Sequence, residues 1–169
     1  MGGRHSRGSL LLLAAVALAL PAPAAAKDSL GVFGQWGAFR DPTVPRCYAI
    51  AKPSETGRGS TYAPFASIGT WPKRQVRGQL HVRLSRKVSP AGTITLRLGD
   101  RSFELTGGGG DAWAQDKRMD AAVVAAMRSA ARMTVTARDT AGKVFSDSYQ
   151  LDGAATAMDA ATVGCARIR

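Results

Sequence analysis

Between Leu80 and Leu105 the chain alternates apolar and polar residues with period two, a pattern that only a half-buried β-strand accommodates. Leu80, Val82 and Leu84 alternate with His81, Arg83 and Ser85. Ile94, Leu96 and Leu98 alternate with Thr95 and Arg97. A helix would instead repeat its apolar residues every three or four positions. Gly99-Asp100, with glycine first, suits a two-residue type II′ turn, so Thr93–Leu98 and Arg101–Leu105 form a predicted hairpin. Further strands are expected at Gly34–Phe39, Cys47–Ala51, Tyr62–Trp71, Met133–Ala137 and Val144–Leu151. Lys27–Leu30 reads as a loose start, Lys52–Ser60 as a loop, and Gly107–Gly110 as a flexible break in the sheet. Helix is expected in two places only. Asp116 can cap the first, in which Met119, Val123, Met127 and Ala130 share a face and Arg128 and Arg132 sit late, where the helix dipole favours cations. The second runs over Ala154–Ala166, with Met158, Ala161 and Cys165 on its inner face. The fold class is therefore α+β: a mainly antiparallel, sandwich-like sheet with one mid-chain and one C-terminal helix.

The N-terminal segment indicates export. Arg4 and Arg7 precede an apolar run from Leu10 to Leu20, and Pro21, Pro23 and Ala24-Ala25-Ala26 supply a small-x-small cleavage site. Residues 1–26 read as a signal peptide and 27–169 as a single exported domain, periplasmic or secreted and able to lie on the outer membrane. The apolar run is shorter than the roughly 20 residues of a membrane span; an uncleaved anchor is the alternative. In an oxidising compartment the two cysteines, Cys47 and Cys165, read as one disulfide. Closing so long a loop is worth about 4–5 kcal/mol in the chain-entropy model. The bond would lock the C-terminal helix to the N-terminal sheet.

Catalytic patterns are missing. His81 is the one histidine after residue 26, and it takes an outward strand position with no flanking carboxylate. There is no Gly-x-Ser-x-Gly, His-Glu-x-x-His or Ser-x-x-Lys sequence. Gly107–Gly110 lacks the Lys-Ser/Thr of a phosphate loop. Asp111, Asp116 and Asp120 lack the spacing of a calcium loop and suit helix capping better. No cofactor or metal is expected.

Charge offers the positive candidate. Without Arg4 and Arg7, 21 basic residues stand against 12 acidic ones, a net charge of +9. Lys73, Arg74, Arg77, Arg83 and Arg97 form the candidate anion-binding surface, with His81, Arg83 and Arg97 presented together if their strands pair. Suitable partners are lipopolysaccharide, acidic lipid or an envelope protein. Aromatic residues do not interleave these cations in the sequence, a poor match to single-stranded nucleic acid. Two other functions fit the composition: a cell-wall-directed hydrolase built on scattered carboxylates, or a carrier with an apolar pocket around Trp36, Phe65 and Trp71.

Several segments taken together resemble a known family. They are Leu30-Gly31-Val32-Phe33-Gly34-Gln35-Trp36-Gly37-Ala38-Phe39, then Arg46-Cys47-Tyr48-Ala49-Ile50-Ala51, then Thr70-Trp71-Pro72, and the stretch from Phe145 to a cysteine-bearing helix at Cys165. The chain is similar in these to the invasion-associated locus B family, exported proteins of alphaproteobacteria. The resemblance implies a periplasmic or outer-membrane-associated protein and a role in supporting host-cell invasion by pathogens. The shared motifs are structural, so the expectation is a non-enzymatic envelope protein that binds a partner.

Overall fold

The computed structural model describes residues 1–2 and 27–166; the signal-peptide reading concerns residues that lie, but for the first two, outside them. The strands are β1 (Asp28–Phe33), β2 (Trp36–Asp41), β3 (Arg46–Ala51), β4 (Glu55–Thr56), β5 (Phe65–Trp71), β6 (Val76–Arg83), β7 (Ile94–Leu98), β8 (Arg101–Gly108), β9 (Asp111–Trp113), β10 (Arg132–Arg138) and β11 (Val144–Gln150). The helices are α1 (Lys117–Met127) and α2 (Ala154–Ala166). All strand pairs are antiparallel, in the order β1-β2-β3-β5-β6-β9-β8-β7-β10-β11-β4. The expected α+β, sandwich-like class is what forms.

The sheet folds on itself at β8. The first part of that strand pairs with β7, and Thr106, Gly107 and Gly108 pair with β9. The expected flexible break at Gly107–Gly110 is instead this corner. A Cβ on Gly107 would collide with the Asp111 carbonyl across the pair, so only glycine permits the close approach. Gly109, at φ +63°, then makes the turn into β9. The Gly99 turn, at φ +59°, forms as expected.

Period-two alternation sends Trp36, Ala38, Cys47, Ala49, Ala66, Ile68, Leu80 and Val82 inward from the first half of the sheet. Leu96, Leu98, Met133, Val135, Phe145 and Tyr149 face inward from the second. Helix α2 packs on β1, β2, β3 and β5 through Ala154, Ala157, Met158, Ala161 and Cys165. Cys47 and Cys165 are bonded, with Cα atoms 5.6 Å apart. Helix α1 starts at Asp116, whose carboxylate accepts from the Met119 amide at 2.7 Å, and packs against β6, β7 and β8.

Buried polar groups join the halves. Asp147, fully buried, accepts from the Ser85 amide at 2.8 Å and the Thr56 hydroxyl at 2.6 Å. Trp36 Nε1 donates to the Gln150 carbonyl at 2.8 Å. Asp120 accepts from the Leu80 amide at 2.8 Å and holds α1 to β6.

Four local expectations are corrected. Lys27–Leu30 is not loose: β1 begins at Asp28, whose carboxylate pairs with Arg40 at 2.6 Å, and Gly34 (φ +54°) turns it into β2. The Lys52–Ser60 loop contains β4, which pairs with β11. Arg128 is the C-cap of α1 rather than a last-turn residue, and Arg132 belongs to β10. Tyr62 precedes β5 instead of opening it.

Removing the disulfide with Cys165→Ala should cost roughly 5 kcal/mol for a loop of this span. The α2 amides should lose hydrogen-exchange protection before the β10–β11 amides do. Desolvation by burial raises the Asp120 carboxyl above its ordinary value of 3.8, against the pull of the Leu80 amide. The native state therefore binds a proton that the unfolded chain has released, and stability falls as pH rises through that window. Asp120→Asn keeps an acceptor for Leu80 without the charge. Urea unfolding should find it more stable than wild type at pH 7 and equal to it below about pH 4.

Candidate functional site

The residues that alternate with the inward set on β2, β3, β5, β6 and β9 share the opposite face. Register aligns Phe39 with Tyr48, Gly69 and Gln79. A second row aligns Gly37, Ile50, Ser67, His81 and Trp113, and a third Phe65, Arg83 and Asp111. The outer face is thus rich in half-buried aromatic residues. Phe39 stacks on Tyr48 with centroids 5.8 Å apart. His81 stacks on Trp113 at 5.1 Å and receives the edge of Phe65 at 5.2 Å.

Glycines set how these rings lie. Trp71 folds back over Gly69, where a Cβ would fall 2.6 Å from the ring, and Phe39 folds over Gly37, where it would fall 2.7 Å away. Tyr62 covers Gly110 in the same manner. A bare Cα lets each ring settle on the backbone.

The charged groups on this face neutralise one another. Asp111 accepts from His81 Nε2 at 2.9 Å and forms an ion pair with Arg83. Arg83 also lies over the Tyr62 ring, 4.0 Å from its centroid. Arg46 sits 4.8 Å over Tyr48 and 3.7 Å from Asp41. The outer face of the second half differs completely. There Thr95, Arg97, Thr134, Thr136, Ser146 and Ser148 point outward, with Thr134–Ser148 and Thr136–Ser146 hydroxyl contacts at 3.1 and 2.8 Å.

The expected cationic surface is divided. β6 and β7 do not pair, because β9 and β8 lie between them, so Arg97 is not presented with His81 and Arg83. Arg83 is committed to Asp111. Lys73 and Arg74 stand exposed on a 3-10 turn before β6, with Arg77 just after it. Arg77 also borders a groove of about 870 Å³ between α1, α2 and the β5–β6 corner, lined by Val124, Arg128 and Thr162 among others.

Further expectations fail for related reasons. Trp36 is fully buried while Phe65 and Trp71 take the other face, so no pocket forms around the three. His81 does have a carboxylate partner, contributed by β9. Aromatic interleaving of the cations, missing along the chain, appears once strands pair. Sequence reasoning passed over Phe39, Tyr48 and Trp113 and gave Asp111 to helix capping, whereas Asp111 lies on β9 and pairs with His81 and Arg83; the signal for Phe39 and Tyr48 was their opposite parity to Ala38, Cys47 and Ala49. Among the described residues no group of three or more His, Cys, Asp or Glu could hold a metal.

Comparisons with known proteins cover most of the chain. A family model described as "Invasion associated locus B (IalB) protein" matches residues 40–162. The crystal structure of invasion associated protein b from Bartonella henselae shares the fold, with a TM-score of 0.57 and 13% identity over 82% of this chain and 97% of that one. No curated protein matches.

Gly69→Ala should push the Trp71 ring off the sheet. The expected outcome is a red-shifted tryptophan emission against the constant signals of Trp36 and Trp113, with a stability loss of about 1–3 kcal/mol from overpacking.

Proposed function

The chain belongs to the invasion associated locus B family, and from that premise we propose that it is an exported, non-enzymatic protein that docks an envelope component on the outer face of β2, β3, β5, β6 and β9. The contrast between the two outer faces carries this reading. A sheet face left to water needs no aromatic residues, and that of β7, β10 and β11 carries hydroxyls and charges with Val144, 50% exposed, at the start of β11. Half-buried aromatic residues gathered on the other face have the composition of a recognition surface. Lys73, Arg74, Arg77 and Arg97 lie off that face and would supply long-range attraction to lipopolysaccharide or acidic lipid.

The buried carboxylates support a binding role over a hydrolase. Asp120 and Asp147 each hold a backbone amide, and Asp41 accepts from the Val44 amide at 3.2 Å. Each has a structural duty, and none faces another across a cleft. Export to the periplasm, with a peripheral place at the outer membrane, is favoured by the signal-peptide reading and the disulfide. No helix among the described residues is long and apolar enough to cross a membrane.

Co-sedimentation with native outer-membrane vesicles and with neutral liposomes, at low and high salt, tests the reading. Vesicle binding should retain a salt-resistant part that Trp71→Ala and Trp113→Ala remove. Its salt-sensitive part should fall on charge reversal of Lys73, Arg74 and Arg77. Vesicle binding that both tryptophan variants leave unaltered would dismiss the aromatic face as the docking surface.

A further inference from the structure

We propose that the aromatic face is a platform for a neutral saccharide chain; this rests on the reading that the face docks an envelope component. Trp71, Phe39 and Tyr62 each lie over a glycine. The Tyr62 ring carries the Arg83 guanidinium, Phe39 stacks on Tyr48 and Trp113 on His81, whereas Trp71 meets no other ring or cation in this way among the described residues. A pyranose presents a side of C–H groups whose hydrogens carry partial positive charge. An aromatic ring face carries the complementary negative charge of its quadrupole.

Polar groups lie between the rings. Gln79, His81, Arg83 and Asp111 sit among Phe65, Trp71 and Trp113 on adjacent rows. His81 and Asp111 are each 27% exposed in their side chains and hold one another in place. Planar amide, carboxylate and guanidinium groups, already oriented, match the paired hydroxyls around a sugar ring. The Asp111 carboxylate has lone pairs left after serving His81 and Arg83.

Charge then selects among partners. Arg83 with Asp111 and Arg46 with Asp41 are both paired. A nucleic-acid strand would want unpaired cations along its phosphates. A bilayer would want apolar side chains standing clear of the surface, and on this face only Val32, 73% exposed, does so. Aromatic rings among self-neutralised charges suit a neutral polymer. From Phe39 on β2 to Trp113 on β9 there are four strand spacings, about 19 Å, the length of roughly four pyranose rings.

The test uses dimers and tetramers of β-1,4-linked N-acetylglucosamine, β-1,4-linked glucose and α-1,4-linked glucose. They are titrated into the purified protein by calorimetry and tryptophan fluorescence, at low and high salt. The expected result is a tetramer bound at least tenfold tighter than its dimer, with no change in high salt. Trp71→Ala and Trp113→Ala should each weaken it at least tenfold, Trp113→Tyr should restore part, and Thr136→Ala on the other face should have no effect. Thermal unfolding of each variant separates lost binding from lost fold. If no saccharide binds, or the tryptophan variants bind normally, the proposal is overturned; affinity that collapses with salt overturns it in favour of an anionic polymer. Vesicle binding by the same variants separates the two readings. If it still depends on Trp71 and Trp113 while every saccharide fails, the docking face stands and the saccharide assignment alone falls.

Discussion

The bond between Cys47 and Cys165 decides which side of the first half-sheet is interior. The inner side of β2, β3 and β5 carries Ala38, Ala49 and Ala66 beside Trp36, Cys47 and Ile68, and α2 meets it with Ala154, Ala157 and Ala161 beside Met158 and Cys165. Alanine surfaces permit close approach but remove little apolar area from water, and burial is worth only about 25 cal/mol per Å². A helix held by so small a contact gains much from a covalent tie that spans 118 residues of sequence. With α2 fastened on that side, Phe39, Tyr48 and Trp71 of the same strands are left on the outside, while Trp36 and Ile68 go in. The aromatic face is the complement of the helix contact.

Polar ties do for the two halves what the disulfide does for α2. Asp147 reaches from β11 to the Ser85 amide, just past β6, and Trp36 reaches from β2 to the Gln150 carbonyl. A buried acceptor left without a donor costs about 1–3 kcal/mol, so these contacts enforce a single arrangement of the halves. The β8 corner supplies the covalent hinge, and the ties fix how far it closes.

Much of this was legible in the sequence wherever a local rule governs. The strand alternation from Leu80 to Leu105, the Gly99 turn, the Asp116 cap and the limits of α2 all follow from neighbours within a few residues. Which strand lies beside which does not. β6 pairs with β9 rather than β7, and that choice depends on the corner at Gly107, where four glycines in a row read as flexibility. The error passed directly to the site. It put Arg97 beside Arg83, where β9 actually stands, and hid Asp111, which lies 30 residues from His81 in sequence yet contacts it. The aromatic face was hidden for the same reason: its rings come from five strands and are scattered singly along the chain.

The glycines beneath the rings carry a constraint of another kind. At Gly69 and Trp71, and at Gly37 and Phe39, a bare backbone position and the ring that covers it stand two residues apart. Neither member is free to drift alone. A methyl group on the first evicts the second, and a small residue in place of the second leaves the first as an uncovered weak point in a strand. Each pair therefore acts as one Gly-x-aromatic unit rather than as two separate positions, and a change at either has to be answered at the other.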